Sequence, residues 1–284
     1  MSITTDNCII VEGALSCGKT SLIEHLAEKN KQQLVKYQMD DFMDSKALIG
    51  SYICSDVPGE FMWKPGPLFK AVSEDSWLLL EDFDNSPVDS LSLLIDLLET
   101  SCIKSIGNTS IEIGSNFRIF LTMRSGLKQS SNLHFIDSIK KLGRSVEIYE
   151  LNELEIKEII CRKYPKFYNS TKNKLIDTVL TVCNSLQMFD NLKSSKPSES
   201  NIFTRVRDVR HLSLRDLLKL FERFNAIPDC NDQKLIKLYL QDIYDCFLSS
   251  IQNKEVRAEL AISTGCTFNI NKEEVCLIYH LIVI

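Results

Sequence analysis

The sequence predicts an α/β chain, a parallel sheet with helices over residues 1–150 followed by a helical cap over 151–284. Three observations predict it. Short apolar runs alternate with helix-period segments as far as Glu150. A glycine-rich loop joins the first apolar run to the first such segment. Beyond Glu150 the strand-like runs give way to helical patterns.

In chain order, Cys8-Ile9-Ile10-Val11 reads as a buried strand. The loop Gly13-Ala14-Leu15-Ser16-Cys17-Gly18-Lys19-Thr20 meets the pattern G-x-x-x-x-G-K-[ST] at every fixed position. Ser21 then opens a helical stretch with Leu22, Ile23, Leu26 and Ala27 on one face. Leu34 to Met39 reads as a second strand, ended by Asp40 and Asp41, and Asp44 to Tyr52 as a short helical pattern running to a glycine. Pro58 to Leu68 is dense in turn residues yet carries Phe61 and Trp63 two apart, which fits a short hairpin and a packed surface loop equally. Trp77-Leu78-Leu79-Leu80 is the continuous apolar run of a central strand buried on both faces, and it delivers Glu81 and Asp82 at its end. Ser86-Pro87-Val88-Asp89 opens a helix with Ser86 as cap and Leu91, Leu94, Ile95 and Leu98 as buried stripe. Isoleucines alternate on both sides of Gly107-Asn108, a hairpin signal over Ile103 to Ile113. Phe117 to Thr122 is a strand ending in Met123-Arg124, and Val146 to Tyr149 is the last strand. In the second part Asn152 and Glu155 form a capping pair for a helix through Ile160. Further helices are expected over Lys174–Leu186, from Ser213, and over Lys234–Ile251, with Asn191 to Asn201 a mobile loop.

With 284 residues, 44% of them hydrophobic, the chain can bury a sizeable core. A net charge of −5 argues against a general binder of nucleic acid or membrane surfaces, either of which needs a basic face. No apolar run reaches bilayer length and no signal peptide is evident, so the chain reads as soluble and intracellular. Ten cysteines include no C-x-x-C, and His25, His134, His211 and His280 stand far apart. Reduced, mostly buried thiols are the better reading than a metal site.

Strand, glycine-rich loop and helix together turn backbone N–H groups and a helix N-terminus toward an anion, the arrangement of a nucleotide site. Lys19 would reach the outer phosphates, and the Thr20 hydroxyl would ligate Mg²⁺. Cys17 lies among loop amides that favour a thiolate, or is simply a small residue that fits. Glu81 and Asp82 supply what a Mg²⁺ ligand and a water-activating base require. Arg124 at a strand end, Arg144 before a strand and Arg215 at a helix head are candidate phosphate partners, and spacing leaves open which of them face the phosphate.

Residues 9 to about 225 resemble an AAA+ ATPase module of the dynein-related type, most closely the first of the six modules of the midasin family of ribosome-assembly ATPases. The resemblance is carried by Gly13–Thr20, Asp44–Tyr52, Pro58-Gly59-Glu60-Phe61 with Trp63, Gly66-Pro67-Leu68, Trp77–Asp84 and Ser213-Leu214-Arg215-Asp216-Leu217. It implies a P-loop AAA+ three-layer αβα core with a parallel sheet, followed by a helical lid domain. It also implies that Gly13, Ala14, Leu15, Ser16, Cys17, Gly18, Lys19, Thr20, Ser21 and the sensor arginine Arg215 hold ATP, with Mg²⁺ on Thr20 and Glu81. Asp82 then takes the water-activating position beside Glu81, Arg124 the end of the sensor strand, and Arg144 the place of a finger offered to a neighbouring module. Two departures stand out. The family order places aspartate before the catalytic glutamate, whereas here Glu81 precedes Asp82, and the sensor strand ends in Arg124 where asparagine is usual.

The resemblance thus implies an ATP-binding module of a mechanochemical ATPase that remodels pre-60S ribosomal particles by releasing assembly factors, in the nucleolus and nucleoplasm. Its partners would be neighbouring AAA+ modules in a pseudo-hexameric ring and the pre-ribosomal particle, with no membrane and no sequence-specific nucleic acid. The alternatives are a non-hydrolysing structural module of such a ring and a stand-alone hexameric remodeller. The apolar end Leu281-Ile282-Val283-Ile284 reads as an interrupted core element, so a fragment of a longer chain is expected.

Overall fold

Leu78, Leu79 and Leu80 are wholly buried because their strand lies inside a sheet covered on both faces. The computed structural model describes residues 7–42, 44–56, 59–104, 110–125, 132–167, 175–184, 213–227, 232–249, 251 and 254–283. They form two compact units, residues 1–150 and 151–284.

The first unit is built on five parallel strands in the order β2-β5-β8-β1-β9. They are β1 (Cys8–Gly13), β2 (Leu34–Gln38), β5 (Trp77–Glu81), β8 (Arg118–Arg124) and β9 (Arg144–Ile148). Alternate residues serve opposite faces, as the strand period of two requires. Cys8, Ile10, Leu78, Leu80, Ile119, Leu121 and Met123 join one core with α4 (Val88–Thr100), α5 (Leu133–Leu142), α2 (Ser45–Ile49) and α3 (Pro67–Ser73). Val11, Leu79 and Phe120 face the other way, against Ile23 of α1 (Lys19–Lys29). The result is the three-layer αβα arrangement, with all five strands ending at one edge.

Several expectations are refined or corrected. Leu22 and Leu26 are 43% and 36% exposed; only Ile23 and Ala27 of that face, with Lys19, are buried, and Ile23 packs on Val11, Leu79 and Phe120 of the sheet. The helix after Asp44 is one turn long and capped by the Asp44 carboxylate. It ends at Gly50, whose φ of +138° suits glycine and where a Cβ would lie 2.5 Å from the Trp63 ring. Ser51 and Tyr52 belong instead to β3 (Gly50–Cys54), which pairs antiparallel with β4 (Phe61–Pro65). The Phe61–Trp63 segment is therefore a hairpin strand, its Trp63 ring edge-on to Tyr52 at 5.2 Å. Ser86 is not the cap of α4: Pro87 holds that position and the Ser86 hydroxyl is buried without a partner. β6 (Cys102–Lys104) and β7 (Ser110–Glu112) pair antiparallel, while the Gly107-Asn108 turn lies outside the described residues.

The second unit is helical. The Asn152–Glu155 capping box starts α6 (Glu153–Lys163), α7 covers 175–184, and Asp216 binds the Ser213 N–H and hydroxyl at the head of α8 (Leu214–Ala226). The expected helix from Lys234 is α9 (Asp232–Ile243), whose last turn loosens into a π-helical turn at Tyr244–Leu248. Two further helices, α10 (Lys254–Thr267) and α11 (Lys272–Val283), carry no clear helical stripe in the sequence. They pack through Gly265, where a Cβ would meet the Val275 side chain at 2.1 Å. Residues 191–201, read as a mobile loop, lie outside the described residues. Among the described residues, no helix is long and apolar enough to cross a membrane.

Candidate nucleotide site

The C-terminal edge of an open parallel sheet is where ligands of α/β folds collect, and β1 empties there directly into the Gly13–Thr20 loop. Gly13 admits no side chain: a Cβ would lie 2.7 Å from both Cys17 Sγ and the Ile148 carbonyl oxygen of β9. Ser16 and Gly18 take left-handed φ values of 61° and 96°, which bend the loop back toward the helix. A Cβ on Gly18 would meet nothing within 4 Å, so its glycine answers to backbone angle and not to space. Helix α1 then begins at Lys19 with no capping side chain and no acid in its first turn. Its first N–H groups carry the positive end of the helix dipole toward the loop.

Lys19 is 9% exposed, and its ammonium donates to the carbonyl oxygens of Gly13 (2.9 Å) and Ala14 (2.7 Å). It also touches Cys17 Sγ at 3.9 Å, so that buried thiol sits against a cation inside the loop. Ala14, Ser16 and Thr20 are half-buried, while Leu15 and Ser21 are exposed. An uncapped helix end, a loop open at Gly18 and a buried ammonium held on loop carbonyls fit a polyphosphate. Lys19, Thr20 and the loop amides would hold ATP, and Thr20 with Glu81 would hold Mg²⁺, whose charge disperses the negative charge of the phosphates.

The neighbouring strands bring the acids and Arg124 to the same edge. Arg124 of β8 is the register partner of Gly13, and the next residue, Ser125, donates its N–H to the Gly13 carbonyl at 3.2 Å. Glu81 closes β5 and is half-buried. Asp82 follows with a left-handed φ of 51°, its N–H held by the Thr122 hydroxyl at 3.2 Å. Its Oδ2 accepts a 2.7 Å hydrogen bond from the Gln38 amide and lies 4.0 Å from an Arg124 Nη. Glu81, Asp82 and Arg124 are thus brought together beside the loop.

One residue of the first unit expected to serve a nucleotide is not part of this cluster. Arg144 is exposed at the head of β9 in register with Ile9, about 13 Å along the strand from the Ile148–Gly13 pair at the loop. It cannot reach the loop of its own unit. Arg215 is exposed in the first turn of α8, in the second unit.

Gln38, Thr122 and Asp84 were not singled out in the sequence. Gln38 ends β2 opposite Glu81, and Thr122 is 2% exposed within an apolar strand. Asp84 is a third acid just past the strand, 4% exposed, with neither carboxyl oxygen hydrogen-bonded. Burial pushes its carboxyl above the usual carboxylate range, and the Asp82 charge adds to the push. The backbone N–H groups of Asp84 and Arg124, near the carboxyl but outside hydrogen-bonding geometry, and the Arg124 charge oppose it.

Comparison with known proteins agrees with this architecture. A family model described as AAA domain (dynein-related subfamily) matches residues 9–136, and one described as midasin AAA lid domain matches residues 155–271. Midasin of Dictyostelium discoideum is 28% identical over 307 residues, covering 94% of this chain and 5% of that protein. Midasin of Giardia intestinalis is 30% identical over 118 residues, covering 41% of this chain and 2% of its own length. The chain therefore spans a small fraction of these relatives. Among solved structures, Hsp104 in a closed state is similar at a TM-score of 0.41 and 15% identity, over 57% of this chain and 32% of that one.

Proposed function

We propose, for a chain that belongs to the dynein-related AAA family and carries a midasin-type lid, that its loop binds ATP with Mg²⁺ as one module of a midasin-like mechanochemical ATPase. Such an ATPase would remodel pre-60S ribosomal particles in the nucleus by releasing assembly factors, with neighbouring AAA+ modules completing a ring. The observation that carries the binding reading is the loop itself: an uncapped helix N-terminus, a buried Lys19 on the Gly13 and Ala14 carbonyls, and Arg124 one strand away. Arg144, exposed and remote from its own loop, supports a role toward a neighbouring module's nucleotide.

In hydrolysis Asp82 would take a proton from water, Lys19 and Arg124 would stabilise charge on the departing phosphate, and Gln38 would orient the Asp82 carboxylate. A second reading, a nucleotide-binding element that does not hydrolyse, is favoured by one specific contact. Asp82 Oδ2 is already engaged by Gln38 and faced by Arg124, and its side chain is one methylene shorter than the glutamate of the usual order.

The test measures nucleotide affinity and single-turnover hydrolysis separately on wild type, Lys19→Ala and Asp82→Asn. Lys19→Ala should abolish binding; retained binding overturns the site. Asp82→Asn keeps the shape and the Gln38 contact while removing the base. It should lower turnover by about 10²-fold at unchanged affinity. Tight binding with no turnover in wild type would establish the non-hydrolysing reading, and equal turnover in wild type and Asp82→Asn would remove Asp82 as the base.

A further inference from the structure

Thr122 is a polar side chain in a strand that is otherwise apolar between Arg118 and Arg124, and it is 2% exposed. Valine has nearly its shape without the hydroxyl, and a buried hydroxyl costs stability unless it is hydrogen-bonded. This hydroxyl is used at Asp82, whose N–H donates to Thr122 Oγ1 at 3.2 Å. The place of that bond matters. β5 and β8 run in register as far as Leu80 and Leu121. Glu81 is still held from the other side, because its carbonyl oxygen accepts the Met39 N–H at 2.9 Å. Asp82 then leaves the ladder with φ 51° and ψ 45°, a left-handed conformation that aspartate tolerates better than most side chains. An amide that leaves a ladder needs another acceptor, and Thr122 supplies it.

The face of the sheet adds direction. Side chains two or four apart on a strand share a face, so Thr122 stands with Phe120, Glu81 with Leu79 and Gln38 with Leu34. Phe120 and Leu79 belong to the core that includes Ile23 of α1, and Leu34 packs against it. At the strand ends this same face turns polar, on the side where α1 follows the Gly13–Thr20 loop. Thr122 thus holds the Asp82 backbone from the face on which Gln38 binds its carboxylate at 2.7 Å.

We propose that Thr122 is a positioning residue for hydrolysis: its hydroxyl clamps the Asp82 N–H, holds the left-handed turn, and so aims the Asp82 carboxylate at the water whose proton it takes. The inference rests on the reading of Asp82 as the base. Thr122 touches neither nucleotide nor water in this role. It sets turnover and leaves nucleotide affinity to Lys19 and the loop.

The test compares Thr122→Val, which removes the hydroxyl at nearly constant volume, with Thr122→Ser, which keeps it and loses a methyl. The full chain is read for ATP affinity and single-turnover hydrolysis, and without nucleotide for the urea midpoint and the exchange of the Asp82 amide hydrogen. Thr122→Val should lower turnover by about tenfold with affinity changed less than about twofold, and its Asp82 amide should exchange faster. Thr122→Ser should keep the protection and most of the turnover, although it leaves the emptier core. In an Asp82→Asn background Thr122→Val should change turnover little, since the clamp acts through the carboxylate. A merely structural role gives another pattern, in which turnover follows the urea midpoint in both variants or affinity falls with the rate. That pattern overturns the proposal, as does an unprotected Asp82 amide in wild type. A wild type that binds ATP without hydrolysing it, or that loses nothing in Asp82→Asn, overturns the base reading and this inference together. Turnover that depends on Asp82 but is unchanged in Thr122→Val overturns the inference alone.

Discussion

Gly13→Ala is the sharpest perturbation the geometry offers, because it tests the loop through packing and leaves every charge in place. The added Cβ would lie 2.7 Å from Cys17 Sγ and 2.7 Å from the Ile148 carbonyl oxygen. The Cys17 side chain can rotate away, but Ile148 belongs to β9, whose backbone is bonded along β1. Relief to an ordinary contact needs about 0.5–1 Å of movement, and the mobile partner is the loop. Overpacking of this kind costs about 1–3 kcal/mol of stability. A loop displaced by up to 1 Å also misplaces the Gly13 carbonyl that holds Lys19, and such misplacement costs on the order of 10²-fold in function. Gly18→Ala is the control. It meets no atoms but must hold a φ of 96°, so its cost is strain of about 1–2 kcal/mol with no push against β9. Urea unfolding and nucleotide titration of both variants are the assays. Gly13→Ala should lose more nucleotide affinity than Gly18→Ala per unit of stability lost. Wild-type affinity and stability in Gly13→Ala would refute the close approach of the loop to Ile148.

Two further outcomes are expected. Asp75 accepts hydrogen bonds from the N–H groups of Asn116 and Phe117 at 3.1 and 2.8 Å and pins the turn before β5 to the start of β8. Asp75→Ala should lower unfolding stability by about 1–3 kcal/mol while nucleotide affinity holds, since the clamp lies at the opposite edge of the sheet from the loop. Loss of affinity would contradict that separation. Asp84 binds its proton more tightly folded than unfolded, so it favours the folded state fully below the ordinary carboxylate value of about 4. That contribution is lost as pH rises through the raised value. Stability of wild type relative to Asp84→Asn should therefore fall from acid toward neutral pH, and more steeply once Arg124→Met removes the opposing charge. A flat difference, or a rise with pH, contradicts the burial of an unpaired carboxyl.

What the sequence disclosed follows a physical line. Trp77-Leu78-Leu79-Leu80 and Phe117 to Thr122 are legible because a strand buried on both faces must be apolar at every position. The Gly13–Thr20 loop is legible because a backbone cradle needs its glycines and lysine at fixed offsets. α1 is misread in part because Leu22 and Leu26 are apolar yet exposed, and apolar character does not say which of two helix faces meets the sheet. α10 and α11 escape because their contact runs through Gly265, a residue that argues against a helix in isolation and is needed only for the close approach of Val275. Gln38 was hidden for a different reason. Its value comes from lying in register with Glu81, forty-three positions later in the chain, and strand order is not written in either segment.

That register also explains why the exchanged order of Glu81 and Asp82 is tolerable in a nucleotide site but consequential for hydrolysis. β5 ends at Glu81, so Glu81 is held by the sheet while Asp82 lies on the left-handed turn beyond it. The sheet fixes a metal ligand well in either order, because an acid at the strand end faces the loop whichever acid it is. The base position beyond the strand lies outside the ladder and is held by the Asn85 N–H and the Thr122 hydroxyl on its backbone, and by Gln38 and Arg124 on its carboxylate. A shorter side chain there reaches less far and is held at one oxygen by neighbours on β2 and β8. Binding therefore depends on the part of the site that the sheet makes rigid. Turnover depends on how Gln38 and Arg124 share a single aspartate.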